Sequence, residues 1–197
     1  QIEKCINKKT VAIMIPNLLG NIPNWIEIGK IAKKNNLHLI EDSADTIGYK
    51  FNGNNTGKYS DVTTNSFYAS HIINGAGTGG ILCFNDYELY KRAKLLRGWG
   101  RSSAVFNESE NASKRFNVKV SGIDYDAKYI FFDLGYNFLP SEISAAFALE
   151  QIKKLKKNIS KKNKNFDYLK KFFGKFKNYF KLPEQNPGVK TPWLAFP

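Results

Sequence analysis

Five consecutive apolar residues, Val11-Ala-Ile-Met-Ile15, constrain this chain more than any other stretch. A strand with one wet face alternates apolar and polar residues. An unbroken apolar run suits a strand of a parallel sheet covered on both faces. Pro16 to Asn24 is turn-rich, and Trp25 to Asn35 then carries Ile28, Ile31 and Ala32 at helical spacing. Leu37-His-Leu-Ile40 reads as a second short strand that ends on Glu41-Asp42. Strand, helix and strand in that order make a β-α-β unit, which places the chain in the α/β class.

The pattern continues downstream. Strands are expected at Thr63 to Tyr68 and Gly80 to Phe84, on either side of the glycine-rich loop Gly75-Ala-Gly-Thr-Gly-Gly80. Asp86 is a good N-cap for a helix running to about Arg97. Residues 100 to 130 are polar and irregular, and are expected to form a long functional loop. From Ser141 a helix carries Ala145, Leu149, Ile152 and Leu155 on one face, with a hinge expected at Asn158 to Ser160 before a second helical stretch. The chain opens at Gln1 without a methionine and closes at Ala195-Phe-Pro197, as expected for a piece cut from a longer protein.

Charge and cysteine usage narrow the function classes. No run approaches the roughly 18 apolar residues of a membrane span. Cys5 and Cys83 have no metal-ligand spacing, which fits a reduced, cytoplasmic setting. The net charge of +13 invites a basic nucleic-acid-binding domain as a remote alternative, but the lysines are scattered among many asparagines. The densest basic stretch, Lys153 to Lys177, has Leu155, Ile159, Phe166, Leu169, Phe173 and Phe176 at helical spacing. It reads as an amphipathic helix with a solvated basic face. A basic tilt also suits an anionic, phosphate-bearing substrate.

Few residues suggest chemistry on their own. Asp42 lies at the carboxyl end of its strand, where open α/β sheets gather their sites. A carboxylate there can pair with a protonated ring nitrogen of a cofactor, or can simply cap a turn. Asp45 would lie one turn on if a helix starts here, so that both acids face one cleft. His38 reads as a partly buried strand residue. Ser66-Phe-Tyr-Ala-Ser-His71 follows a strand and precedes the glycine loop, and its hydroxyls and amides suit phosphate oxygens. A histidine there can move a proton near neutral pH, or serve only the structure. The glycine loop matches neither a Walker A pattern nor a dinucleotide fingerprint.

The order of these segments is more specific than any one of them. Ile40-Glu-Asp42, Ser66-Phe-Tyr followed by position 71, Gly79-Gly80, Leu96-Arg-Gly-Trp-Gly-Arg101 and Gly135-Tyr-Asn137 resemble the DegT/StrS-type sugar aminotransferase family from about Ala12 onward. The resemblance implies a fold-type I, aspartate-aminotransferase-like architecture: the later part of a mixed, mostly parallel seven-stranded sheet flanked by helices. Residues 1–156 would be the C-terminal part of the large cofactor-binding domain and 157–197 the start of a small α+β domain. The cofactor would be pyridoxal 5'-phosphate or its amine form, pyridoxamine 5'-phosphate. By the same resemblance Asp42 binds the pyridine nitrogen and Ser66 the cofactor phosphate. Asp45 is counted with them in the cofactor-binding set. Asn137 would reach the phosphate of a neighbouring subunit's cofactor, making a homodimer with shared active sites. The aromatics Tyr68, Trp99, Tyr136 and Phe138 fall inside these motifs rather than along a basic groove, which weakens the nucleic-acid alternative.

Where the family carries its cofactor lysine, this chain has His71. That exchange is similar to the nucleotide-sugar 3-dehydratase branch, as are Asn17-Leu-Leu-Gly-Asn21, Lys114-Arg-Phe116 and Asp133-Leu-Gly-Tyr-Asn137. Histidine forms no stable covalent link to the cofactor, so the amine form is expected to rest non-covalently, with His71 as the base. The implied reaction removes the C3 hydroxyl of a nucleotide-linked 4-keto-6-deoxyhexose, as in deoxysugar and lipopolysaccharide biosynthesis. An aminotransferase working through another base and an inactive homologue are the alternatives. Two departures stand out. Iron–sulfur members of the branch use four cysteines, but Ala44 and the Ser102–Ser113 stretch supply none, so no cluster and no metal are expected. Asn74-Gly75 inserts a residue in the loop after His71.

Overall fold

A computed structural model of the chain describes residues 1–106, 111–191 and 193–197. In chain order the elements are α1 (Ile2–Cys5), β1 (Ala12–Pro16), α2 (Trp25–Lys34), β2 (His38–Asp42), β3 (Lys50–Phe51), β4 (Asn54–Asn55), β5 (Val62–Ser66) and β6 (Gly80–Phe84). There follow α3 (Tyr87–Arg97), α4 (Ser103–Phe106), α5 (Ala112–Arg115), β7 (Val118–Val120), β8 (Ile123–Tyr125), α6 (Glu142–Phe173) and β9 (Val189–Lys190). They form two compact units, residues 1–85 with 142–197, and residues 86–141.

The first unit is built on a sheet of order β1-β2-β5-β6. β1, β2 and β5 run parallel, with Met14 opposite Ile40 and Ile40 opposite Val62, while β6 is antiparallel to β5. The expected β-α-β unit and mostly parallel sheet are present, with four strands among the described residues. α2 starts where Asn24 accepts a hydrogen bond from the Glu27 N–H, and it buries Trp25, Ile28 and Ala32. These pack with Ile13, Ile22 and Leu39 of the sheet side and with Tyr49, Phe51 and Val189. The apolar run of β1 is covered on that face only, because Met14, pointing the other way, is 59% exposed. Ile81, Leu82 and Cys83 on β6 are exposed as well, at the sheet edge. His38 is not partly buried as expected: it is exposed on β2 with Nδ1 3.6 Å from Asp61.

α6 runs without interruption through residues 158–160, so the expected hinge is absent. Its apolar stripe holds it to the unit. Phe166 is buried and stacks on Trp193 at 5.6 Å, and Leu155 and Ile159 lie beside Gly48. The lysines occupy the remaining faces, and among the described residues no helix is long and apolar enough to cross a membrane.

A buried carboxylate lies inside this unit. Glu41 is 1% exposed and has no cationic partner among the described residues. Its Oε1 accepts from Asn17 Nδ2 and Ser43 Oγ, both at 2.7 Å, and its Oε2 accepts from the Gly57 N–H at 2.7 Å. Asn17 also receives the Trp25 indole N–H on its Oδ1 at 3.0 Å and reaches Thr46 Oγ1 at 3.0 Å. A desolvated charge is tolerated only when its oxygens are saturated in this way.

The second unit is more ordered than an irregular loop. α3 is capped by Asp86 accepting from the Leu89 N–H, and α5 by Asn111. β7 and β8 form a hairpin whose two turn residues, Ser121 and Gly122, both have positive φ, as a tight two-residue turn requires. The Arg115 guanidinium pairs with Asp126 and, with the Lys128 N–H, holds that carboxyl below its ordinary range. The remainder of the expected long loop, residues 107–110, lies outside the described residues.

Glu41→Ala would leave the Ser43 hydroxyl and the Gly57 N–H without their acceptor and remove the shortest bond of the Asn17 amide, and should cost roughly 3 kcal/mol or more. Urea denaturation of the variant checks this. Glu41→Gln, which keeps one acceptor oxygen, should lose less.

Candidate active site

The candidate residues of the first unit gather at the carboxyl ends of β2 and β5. Asp42 ends β2, and its Oδ1 accepts from the Ala44 N–H at 3.1 Å and from Thr64 Oγ1 at 3.2 Å. Its Oδ2 accepts no hydrogen bond among the described residues, which leaves an acceptor open for a protonated ring nitrogen. Ser66 ends β5 opposite Gly80 and accepts from the Tyr68 N–H at 3.2 Å. Its own hydroxyl hydrogen is therefore free to donate, as a phosphate oxygen would need.

The loop after β5 is drawn tightly back on itself. The Phe67 N–H donates to Gly79 O at 2.9 Å and the Gly75 N–H to Phe67 O at 2.8 Å. A Cβ on Gly80 would stand 2.7 Å from the Asn65 carbonyl oxygen, so the close return of β6 requires glycine there. His71 sits within this loop, its own N–H donating to Tyr68 O at 3.0 Å.

The contact that sequence reasoning missed is between His71 and Asp45. Their Nδ1 and Oδ1 are 3.0 Å apart, with 23% and 15% of the side chains exposed. Residues 43–49 form two successive turns rather than a helix, with the Thr46 N–H on Ser43 O and the Tyr49 N–H on Thr46 O, both at 3.0 Å. They carry Asp45 to the loop of His71, while Asp45 Oδ2 accepts from the Leu19 N–H at 2.9 Å. Both Asp45 oxygens are thus engaged within the fold. The Asp45 charge also acts on two neighbours. Burial first, then Asp45, raises the Tyr49 hydroxyl well above its ordinary value; burial lowers the Lys162 ammonium while Asp45 opposes that shift. A cleft of about 230 Å³ lies beside His71, lined by Ile72, Asn158, Ile159, Lys161, Lys162 and Asn165. A larger groove of about 730 Å³ between Tyr49, α6 and Thr191 holds none of the candidate residues.

Asn137 belongs to the second unit, where it is exposed and bridges antiparallel to Gly98. The Tyr136 N–H donates to Leu96 O and the Trp99 N–H to Tyr136 O at 2.9 Å, so the Leu96–Arg101 and Gly135–Asn137 motifs lie side by side. The Arg101 guanidinium sits 4.5 Å over the Trp99 ring. The motifs Asn17-Leu-Leu-Gly-Asn21 and Ile40-Glu-Asp42 contain Asn17, Leu19 and Glu41, but nothing in them indicated the roles these residues take; the one hint was the position of Glu41 directly before Asp42, since alternation along a strand turns neighbours to opposite sides.

The whole chain, residues 1–197, matches the model of the DegT/DnrJ/EryC1/StrS aminotransferase family. The chain belongs to this family. The Salmonella typhimurium lipopolysaccharide biosynthesis protein RfbH is 35% identical over 199 residues, covering 100% of the chain and 45% of RfbH. GDP-perosamine synthase of Escherichia coli O157:H7 is 31% identical over 170 residues, covering 86% of the chain and 40% of that enzyme. Among solved structures, E. coli GDP-4-keto-6-deoxy-D-mannose-3-dehydratase with bound hydrated PLP superposes with a TM-score of 0.76 at 31% identity, covering 99% of this chain and 48% of that one. The chain therefore spans about half the length of these relatives. The DegT-family fold, an α/β aminotransferase architecture, is the one its sheet and helices adopt, and the open acceptor at Asp42 and the hydroxyl donor at Ser66 suit the pyridoxal phosphate of such enzymes.

Gly80→Ala should destabilise the first unit by about 2 kcal/mol, since the clash is with main chain that cannot step aside. Thermal unfolding of the variant beside the parent measures it.

Proposed function

We propose that the protein containing this chain removes the C3 hydroxyl of a nucleotide-linked 4-keto-6-deoxyhexose, using pyridoxamine phosphate held without a covalent bond. The observation that carries this reading is His71. It occupies the position of the family's cofactor lysine, and no lysine lies between Ser66 and Gly80. Its Nε2 makes no hydrogen bond among the described residues and is available to move a proton.

Asp42 is assigned to the ring nitrogen through its open Oδ2, and the Ser66 hydroxyl to the phosphate. When bound, the cofactor would supply an amine for the sugar 4-ketone and a ring that accepts electron density. Asp42 favours that role by stabilising a protonated ring nitrogen. With the cofactor bound, His71 Nε2 would accept the proton given up at the cofactor's methylene carbon and return it to the departing C3 hydroxyl, which would leave as water. The overall change would give a 3-deoxy-4-keto sugar and ammonia, and an amino donor such as glutamate would resupply the amine.

The enzyme is proposed to be a homodimer in which Asn137, exposed in its unit, serves the partner's cofactor phosphate. Residues 1–156 would belong to the large domain and 157–197 to the start of the small one, with α6 crossing the boundary. The resemblance to the GDP-4-keto-6-deoxy-D-mannose-3-dehydratase structure supports dehydration. The resemblance to a perosamine synthase, together with the family's name, supports amino transfer as the second reading.

The full-length protein, given pyridoxamine phosphate, glutamate and GDP-4-keto-6-deoxymannose, should yield a sugar lacking the C3 oxygen by mass spectrometry. A 4-amino sugar instead would overturn the proposal in favour of amino transfer. His71→Lys should acquire a covalently attached cofactor, read as a visible absorbance band that borohydride abolishes. Failure to acquire it would show that position 71 does not face the cofactor's reactive carbon.

A further inference from the structure

The geometry points to Asp45 as the positioning residue that fixes the tautomer of His71, so that Nδ1 carries the proton and Nε2 the lone pair. This inference rests on the reading of His71 as the base. A neutral imidazole has one donor and one acceptor nitrogen, and its tautomer follows from whatever the other nitrogen meets. Asp45 Oδ1, 3.0 Å from Nδ1, is an acceptor only, so Nδ1 must donate. Free histidine has no such instruction and divides itself between the two tautomers.

The direction is enforced by a second bond. The Leu19 N–H donates to Asp45 Oδ2 at 2.9 Å, so the carboxylate is held at both oxygens and cannot turn away from the ring. Leu19 is itself in the left-handed region, with φ 55°, and its carbonyl accepts from the Leu194 N–H at 2.7 Å. Among the described residues the Asp45 charge also acts on Tyr49, whose hydroxyl burial and Asp45 together hold above its ordinary value, and on Lys162, whose ammonium it favours against burial. Neither is hydrogen-bonded to the ring: Tyr49 Oη donates to Trp193 O at 3.4 Å and Lys162 Nζ to Leu194 O at 3.4 Å. The carboxylate is therefore the one group among the described residues that orients the imidazole.

This arrangement makes Asp45→Asn an inverting change. The Leu19 N–H will hold the amide oxygen of the new side chain, turning its NH₂ toward His71 Nδ1. Nδ1 must then accept, and the proton moves to Nε2, where the base is needed.

The test is nitrogen NMR of the full-length protein labelled with ¹⁵N-histidine, with the His71 signals identified by their loss in His71→Asn. At a pH where the ring is neutral, His71 should show a protonated Nδ1, and Asp45→Asn should reverse the pattern. Alongside, kcat should fall by roughly 10²-fold or more, as expected when a general base holds its proton on the wrong nitrogen, with KM for the nucleotide sugar nearly unchanged. A protonated Nε2 in the unsubstituted protein overturns the inference, and so does an unchanged pattern in the variant. The unsubstituted protein decides even if the variant does not fold. Because the spectrum needs no turnover, a protein with the expected tautomer and no C3 deoxygenation would sink the proposed reaction and leave the positioning role standing.

Discussion

The saturated carboxylate of Glu41 is the constraint on which the first unit depends. Removing a charge from water costs several kcal/mol unless hydrogen bonds replace the hydration, and among the described residues no cation pairs with it. The replacement donors come from four separated places: Asn17 after β1, Ser43 after β2, the Gly57 N–H and, at 3.5 Å, Ser60. Each of those segments would be free to drift as a loop. Bound to one anion, they form a common frame around the end of β2. Asn17 links that frame to the apolar core as well, because its Oδ1 takes the indole N–H of Trp25 at the start of α2.

That frame reaches the candidate active site in two steps. Asn17 is directly followed by the Leu18–Gly20 turn, which presents the Leu19 N–H to Asp45. Ser43 and Thr46, both tied into the Glu41 network, bracket Asp45 in the chain. Asp45 then holds His71. The left-handed conformation of Leu19 costs about 1 kcal/mol relative to an ordinary leucine backbone. It is maintained because Asp45 and the Leu194 N–H restrain it from two sides, and because Gly20 permits main chain at 2.9 Å where a Cβ would stand. Strain is thus placed beside the candidate site and balanced by bonds to it.

The sheet and its helices were legible because apolar period and capping act locally. Asn24 and Asp86 announce α2 and α3, and β1, β2, β5 and β6 follow from short apolar or β-branched runs between turn residues. Several readings failed for reasons of context. The run Val11–Ile15 is apolar throughout, yet periodicity cannot say what covers its second face, and Met14 is exposed. The polar stretch at 158–160 suggested a break, but asparagine, isoleucine and serine cost too little in a helix to end one already held by Ile159 and Phe166. The stretch 100–130 looked irregular because its helices and strands are each three or four residues long, below the length at which a period can be read. Asp42, Ser66 and His71 were singled out through the order of the motifs. Asp45 was singled out too, but its contact with a ring 26 residues away follows from two tight turns that no spacing rule encodes.

On the proposed reading of His71, the exchange of lysine for histidine moves the source of geometric precision. A lysine that bonds to its cofactor is aimed by that bond, and the protein need only bring the chain near. A histidine has no such tether, and a loop rich in glycine gives it little direction by itself. Orientation must then come from the fold. In this chain it comes from Asp45, and the position of Asp45 comes from the Leu19 N–H and from the turns fastened to Glu41. Glu41 touches neither His71 nor Asp45, yet through Asn17, Ser43 and Thr46 it determines where both can be. A site of this kind makes the buried network part of the chemistry, since loosening the frame would release the imidazole long before it unfolded the sheet.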